Sequence, residues 1–264
     1  MEKMKQSLLD EALGLEEEEE ISTSRVFLIE DCVETSGDFV LHHLMKRALS
    51  STDRTGGGGV LLFVALAHPF SHYDRILRKL GCNLIMLRDN NRFVFFNMLK
   101  LDCPDGDGTH TIEGGAVELY GRIQKAVEIS TSNGCNKGCI TIMIDDISLL
   151  EIAAHGSANH ILNFVHYCHT LTTEMDCSLV MLNHSDIYSS MESPGLILPL
   201  EYLADVIIKA EPLATGLATD VHGQLTVAKN GTANEHGRLS YWTRNFHFKV
   251  KENNVEYFYP GSRT

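Results

Sequence analysis

Short hydrophobic runs alternate with amphipathic helical segments through most of this chain. Four runs are almost continuously apolar, which predicts strands buried on both faces: residues 25–30, 60–67, 139–144 and 177–184. Helical patterns lie between them, within residues 38–50, 68–81, 108–130 and 155–175. Strands that alternate with crossover helices predict an α/β fold, in which helices cover a mostly parallel central sheet.

The C-terminal part of the chain has a different pattern. Strand-like runs at 204–213, 224–231 and 237–261 follow one another with glycine and asparagine, and no helical pattern, between them. We therefore predict antiparallel strands that extend the sheet. Two further apolar stretches, 83–88 and 92–99, also have strand length, whereas residues 185–199 are predicted to form a loop.

The chain is long enough to form one large domain. We place that domain at residues 25–264 and predict that residues 1–24 form a partly flexible N-terminal extension. No apolar run approaches the roughly 20 residues that span a bilayer, so no membrane contact is predicted. Seven cysteines, scattered through apolar segments, suit a reducing compartment, and we expect a cytoplasmic and nuclear protein.

The strand at 25–30 is followed by a loop and a helix, the order in which phosphate-binding loops occur. Their consensus is G-x-x-x-x-G-K-[ST]. When the two are aligned on Gly37, Cys32 replaces the first glycine, Asp38 the lysine and Phe39 the hydroxyl residue. A carboxylate repels phosphate where a cation should attract it, and phenylalanine cannot bind Mg²⁺. We predict the scaffold of a nucleotide site without ATP binding, catalysis or a cofactor.

A second nucleotide-related pattern follows the strand at 139–144. Asp145 and Asp146 stand at the strand end, where an aspartate orients Mg²⁺ in ATPases. Two strand–helix units separate this pattern from the degenerate loop, and that order favours a fold of the RecA type. It also predicts that the ends of strands 26–30 and 139–144 lie side by side.

Cysteine and histidine residues do not form a metal-binding pattern. Cys135 and Cys139 lack a second ligand pair at the spacing of a zinc site. His166, Cys168 and His169 lie within a predicted amphipathic helix, where they are ordinary helix residues. We predict no metal site.

Three ordered segments carry a resemblance to a known family: residues 25–49, 56–84 and 139–156. They begin "RVFLIEDCVETSGDF", "GGGGVLLFVALAHPF" and "CITIMIDDISLL". The chain resembles the Elongator complex protein 6 family, and most of all its plant members. The resemblance implies a RecA-like fold that lacks the ATPase motifs. It also implies a hetero-hexameric ring with two copies each of Elongator proteins 4 and 5, docked on the catalytic subunits of Elongator.

The same resemblance implies a role in modifying carbon 5 of the wobble uridine of certain tRNAs, with tRNA bound by the ring. The net charge of −13 makes nonspecific binding of nucleic acid by this chain alone unfavourable. Any tRNA contact must therefore come from a few positions in the mildly basic C-terminal part or from the 185–199 loop. The candidates are Arg238, Arg244, Lys249 and Lys251.

Two other interpretations remain open from the sequence. One is a catalytically silent RecA-type paralogue in a DNA recombination or repair assembly. The other is an independent α/β enzyme whose site carries no recognised motif.

Overall fold

The fold is that of a computed structural model, which describes residues 7–15, 24–50, 58–98, 112–132, 139–153, 157–188, 195–216, 218, 220–230, 242–252 and 254–261. The helices are α1 (Leu8–Leu13), α2 (Asp38–Ser50), α3 (Phe70–Lys79), α4 (Leu84–Asp89), α5 (Ile112–Ser132), α6 (Ile147–Ala153), α7 (Ala158–Glu174) and α8 (Ile197–Leu203). The strands are β1 (Val26–Asp31), β2 (Val60–Ala65), β3 (Phe93–Asn97), β4 (Ile140–Ile144), β5 (Cys177–His184), β6 (Val206–Glu211), β7 (Gly223–Lys229), β8 (Trp242–Val250) and β9 (Val255–Phe258). None of the described helices is long and apolar enough to cross a membrane.

The described strands form one sheet in the order β3-β2-β4-β5-β1-β6-β7-β8-β9. Every pairing from β3 to β6 is parallel, and the pairings from β6 to β9 are antiparallel. The predicted α/β class, with its parallel centre and antiparallel C-terminal strands, is therefore confirmed.

Helices bury both faces of the parallel strands, because successive side chains of a strand point to opposite sides. Phe27 and Ile29 of β1 face a first core, which side chains of α1 to α4 complete. Val26 and Leu28 face a second core with α5 to α8. Because both faces are covered, the central strands are buried at almost every position and consist mostly of apolar residues.

Part of the predicted N-terminal extension packs on the domain. Ser7 caps α1 with its hydroxyl, and Leu9 and Leu13 are fully buried in the first core. The carboxylate of Asp10 lies 2.8 Å from His43 Nε2 of α2. This helix therefore belongs to the packed structure, while the division at residue 24 stays a prediction.

The prediction of a strand at residues 83–88 was wrong, because this stretch forms helix α4. The side chain of Asn83 caps the helix by accepting a hydrogen bond from the backbone N–H of Met86 at 3.2 Å. Leu84 and Leu87 are buried and three residues apart, which is helical spacing. Such short apolar runs fit either structure, and packing on the first core favours the helix here.

The predicted 185–199 loop contains helical residues at both ends, and residues 189–194 lie outside the described part of the chain. It starts with a 3-10 helix at Ser185–Tyr188, and α8 begins at Ile197. Helix α6, directly after Asp145 and Asp146, was also not predicted from the sequence. Both α6 and α8 are seven residues long, too short to show a clear helical period.

The ends of β1 and β4 are not side by side, which corrects the prediction from the sequence. Strand β5 lies between them and pairs with both: Glu30 is opposite Asn183, and Ile144 is opposite Met181. The carboxyl ends of β4, β5 and β1 therefore meet along one edge of the sheet, and β5 places its own side chains between the two acidic strand ends.

Candidate functional site

An Asp–His–Asp bridge joins the carboxyl ends of these three strands. His184 Nδ1 lies 2.5 Å from Asp31 Oδ1, and His184 Nε2 lies 3.2 Å from Asp146 Oδ2. Both carboxylates are almost completely buried, whereas the His184 side chain is 38% exposed. Hydrogen bonds with Asp146 and Asp31 raise the pKa of His184 to about 10. At neutral pH the ring is therefore an imidazolium that donates through both nitrogens.

The loop after β1 directs a backbone donor toward the protein's own carboxylate. Cys32 and Thr35 close a tight turn, in which the Thr35 N–H donates to the Cys32 carbonyl at 3.0 Å. The Gly37 N–H then donates to Asp31 Oδ2 at 2.7 Å. A Cβ atom at Gly37 would lie 2.9 Å from Ile29 Cγ2, so glycine is required for this close approach. In a phosphate-binding loop, such an N–H at the helix start would face a phosphate.

The residues that replace the consensus lysine and hydroxyl serve the fold. Asp38 is the first residue of α2, where a negative charge complements the positive end of the helix dipole. Phe39 packs against Phe248 with ring centroids 4.6 Å apart. Asp38 supplies no cation at this position, and Phe39 supplies no oxygen ligand for a metal ion.

Asp145 holds the connection between β2 and α3. Its carboxylate accepts hydrogen bonds from the N–H groups of Leu66 and Ala67 at 2.7 and 3.0 Å, and from the Tyr73 hydroxyl at 2.5 Å. Burial raises the pKa of Asp145, against the lowering effect of these donors. Asp146 in turn accepts the Ser148 hydroxyl at 2.5 Å at the start of α6. Both aspartates are thus engaged in internal hydrogen bonds.

A second charged group lies at the same edge of the sheet, on the side of the second core. Lys209 Nζ of β6 lies 2.9 Å from Glu30 Oε2 and also pairs with Glu201 of α8. Burial raises the pKa of Glu30. Neither Lys209 nor His184 was predicted from the sequence as a site residue. In the sequence, each of them appears only as a polar residue toward the end of an apolar strand. Their charged partners lie far away along the chain, so no local pattern connects them.

The predicted tRNA contacts do not form one cluster among the described residues. Arg244 lies 2.5 Å from Glu11 and its guanidinium is 4.4 Å from the centre of the Trp242 ring. Lys249 is 3.1 Å from Asp220, and Lys251 pairs with Glu256. Arg244 and Lys249 are five positions apart on β8 and so face opposite sides of the sheet. Arg238 lies outside the described residues.

No group of three or more His, Cys, Asp or Glu residues in the described part of the chain is arranged to hold a metal ion. Cys168 is fully buried in α7, and burial raises the pKa of its thiol to about 12. Cys139 is described, whereas Cys135 is outside the described residues.

Comparison with known proteins gives a consistent result at the level of sequence. A family model described as Elongation complex protein 6 matches residues 8–252. The curated Elongator complex protein 6 of Xenopus laevis is 30% identical over 241 residues, covering 86% of this chain and 87% of the relative. The human protein of the same name is 27% identical over 242 residues, again covering 86% of this chain and 87% of the relative.

Solved structures of other proteins share the fold of this chain. A KaiC-like protein of Pyrococcus horikoshii OT3 superposes with a TM-score of 0.59 at 11% identity, covering 89% of this chain and 90% of that one. An uncharacterised protein of Pyrococcus horikoshii, solved with an unknown peptide, gives 0.63 at 13% identity, covering 90% and 93%. The predicted RecA-type fold is confirmed by this likeness.

Proposed function

The chain belongs to the Elongator complex protein 6 family, and we propose that it serves Elongator as an accessory subunit without catalysis of its own. The absence of catalysis is supported by one observation, the hydrogen bond from the Gly37 N–H to Asp31 at 2.7 Å. The donor that a phosphate would use is already bound to a buried carboxylate.

Electrostatics supports the same conclusion. A triphosphate placed at the start of α2 would lie close to Asp31 and Asp38, and two like charges about 4 Å apart cost ~4 kcal/mol at an intermediate dielectric. The nearby imidazolium of His184 offsets little of this, because it is shared between two carboxylates. We propose that the loop is degenerate and does not bind Mg²⁺–ATP.

We further propose that the chain forms a hetero-hexameric ring with Elongator proteins 4 and 5, two copies of each. In this proposal the ring docks on the catalytic subunits and supports modification of carbon 5 of the wobble uridine. Family membership and the RecA-type fold support it, since a domain of this shape can occupy a ring position without hydrolysing nucleotide. We place the assembly in the cytoplasm and the nucleus.

Contact with tRNA through Arg238, Arg244, Lys249 and Lys251 is part of the proposal. The carboxylates that pair with Arg244, Lys249 and Lys251 would have to exchange with phosphates. Each of these carboxylates is about half exposed or more, and exposed ion pairs contribute little stability, so such exchange is energetically accessible.

Co-expression with Elongator proteins 4 and 5 tests the assembly. Native mass spectrometry should give the mass of a particle with two copies of each subunit. In cells that lack this chain, wobble-uridine modification should return equally with the wild type and with Asp38→Ala. A monomer that stays free in the presence of both partners, or capture of DNA-repair proteins instead, contradicts the assembly. Loss of modification by Asp38→Ala, with the ring intact, contradicts the non-catalytic role.

A further inference from the structure

The outer surface of α3 and α4 is basic in a strongly acidic protein. The chain has a net charge of −13, yet residues 68–92 contain five Lys or Arg and only two Asp or Glu. Arg92 is used internally, because its guanidinium donates to the carbonyls of Leu49 and Gly59. The other four cations and two exposed apolar side chains define what we name the α3–α4 face: Arg75, Arg78, Lys79, Ile85, Met86 and Arg88.

Helical spacing turns this surface outward. Tyr73 and Leu77 of α3, four residues apart, are buried in the first core, and so are Leu84 and Leu87 of α4. The six residues of the α3–α4 face lie at the remaining helical positions, and all six are exposed. Met86 is 55% exposed and Ile85 is 38% exposed.

The two helices form a continuous surface. The guanidinium of Arg88, near the end of α4, lies 4.9 Å from the centre of the Phe70 ring at the start of α3. This contact ties the helices together and holds the Arg88 side chain over a flat apolar support. A fixed side chain loses less conformational entropy when it binds a partner.

The cations of the α3–α4 face differ in how far they are neutralised. Arg78 pairs with Asp74 within α3 at 2.9 Å, and Lys79 is 4.0 Å from Glu252. Within the part of the chain that the structure describes, Arg75 and Arg88 form no ion pair. Their charges are available to an external carboxylate.

We propose that the α3–α4 face docks an acidic, partly apolar segment of another protein. Arg75 and Arg88 receive its carboxylates, and Met86 and Ile85 receive its apolar side chains. Arginine can bind a carboxylate through two parallel hydrogen bonds, and arginine and methionine are both enriched at protein interfaces. The inference rests on charge complementarity and does not depend on the proposed ring.

An RNA ligand fits this surface less well. Proteins that bind single-stranded nucleic acid combine cations with aromatic faces on which bases stack. Here the exposed apolar side chains are aliphatic, and the Phe70 ring is covered by Arg88.

Binding of a defined peptide tests the proposal with the full chain. The probe is a fluorescein-labelled amphipathic peptide of Glu and Leu, and anisotropy measures its affinity at low and high salt. The double variant Arg75→Glu/Arg88→Glu should bind roughly tenfold more weakly or worse, and salt should weaken binding by the wild type. Met86→Ser should weaken binding by several fold without changing the salt dependence.

Lys125→Glu is the matched control, because Lys125 is exposed on α5, which packs on the opposite face of the sheet. It should bind like the wild type. Circular dichroism should be the same for all variants, and the thermal midpoint should fall only slightly in the double variant, which loses the exposed Arg88–Phe70 contact. Equal binding by the double variant, or equal binding of a peptide with Gln in place of Glu, overturns the proposal. Tighter binding of an oligouridylate than of the acidic peptide overturns it in favour of nucleic acid.

A photoreactive benzoylphenylalanine at position 86, introduced in cells, extends the test to the native assembly. Mass spectrometry should identify a crosslinked protein segment with an excess of Asp and Glu, and Arg75→Glu/Arg88→Glu should abolish the crosslink. A basic segment, crosslinked RNA or the absence of any crosslink contradicts the proposal. Assembly of the ring is measured separately by mass, so failure of one proposal does not imply failure of the other.

Discussion

His184 lies 2.5 Å from Asp31, although the two residues are 153 positions apart in the sequence. They occupy the last register pair of the neighbouring parallel strands β5 and β1. The same imidazole reaches Asp146 after β4, so one cation joins three strand ends at the edge where RecA-type enzymes bind nucleotide. In this chain, the imidazolium of His184 is shared by two buried carboxylates at that edge.

Replacing His184 should destabilise the protein. His184→Gln leaves Asp31 and Asp146 buried near each other without the imidazolium. We expect a loss of about 2 kcal/mol in the free energy of unfolding, less than for a fully buried ion pair because the ring is partly exposed to solvent. Urea unfolding measures this loss. His166→Gln, at an exposed position of α7, is the control and should have little effect. Equal stability of the two variants contradicts the prediction.

The contribution of His184 should depend on pH with a defined sign. The folded pKa is about 10, above the ordinary value of 6.5. The stabilisation is therefore fully present below pH 6.5 and is lost as the pH rises toward 10. The difference in unfolding free energy between the wild type and His184→Gln should shrink over this range. A difference that is constant from pH 6 to pH 10 would count against an imidazolium.

His42 should act in the opposite direction. Burial lowers its folded pKa to about 4, and the charges of His72 and His68 add to this effect, whereas Asp38 opposes it. The unfolded chain takes up the proton first, so stability should fall as the pH falls from 6.5 to about 4. Unfolding by urea at several pH values should show a shallower acid dependence in His42→Gln than in the wild type. An identical slope in both proteins would show that other groups control acid sensitivity.

The isolated chain should not bind Mg²⁺–ATP. Asp38→Lys restores the consensus cation, but we expect no binding by this variant either, because the Asp31 carboxylate still accepts the Gly37 N–H at 2.7 Å. Calorimetric titration measures both proteins. A dissociation constant in the low micromolar range for the wild type would refute the interpretation of the loop as degenerate.

In the assembled ring, Arg244 should contribute to tRNA binding by contacting a phosphate. Arg238→Ala/Arg244→Ala should weaken binding and flatten the slope of log affinity against log salt by up to about one unit per lost contact. Glu11→Gln is the matched control, because it removes the carboxylate partner of Arg244 and leaves the arginine in place. Unchanged affinity and slope in the double variant, with the ring intact, would leave this subunit an architectural role.

The sequence by itself determined where the buried strands of the sheet lie and how the loop after β1 departs from the phosphate-binding consensus. Strands β1, β2, β4 and β5 are buried at almost every position and mostly apolar, because helices cover both of their faces, and the apolar runs are a local property of the sequence. The replacement of the consensus lysine and hydroxyl by Asp38 and Phe39 is equally local.

Only the tertiary structure decided which strands are neighbours and which charges meet. Hydrophobic periodicity contains no information on strand order, so it could not show that β5 separates β1 from β4. The helix at Leu84–Asp89 was missed because six residues fit either period, until packing on the first core selects one. In the sequence, His184 is simply the last residue of a strand. It joins Asp31 to Asp146 because long-range strand pairing brings three distant segments to one edge of the sheet.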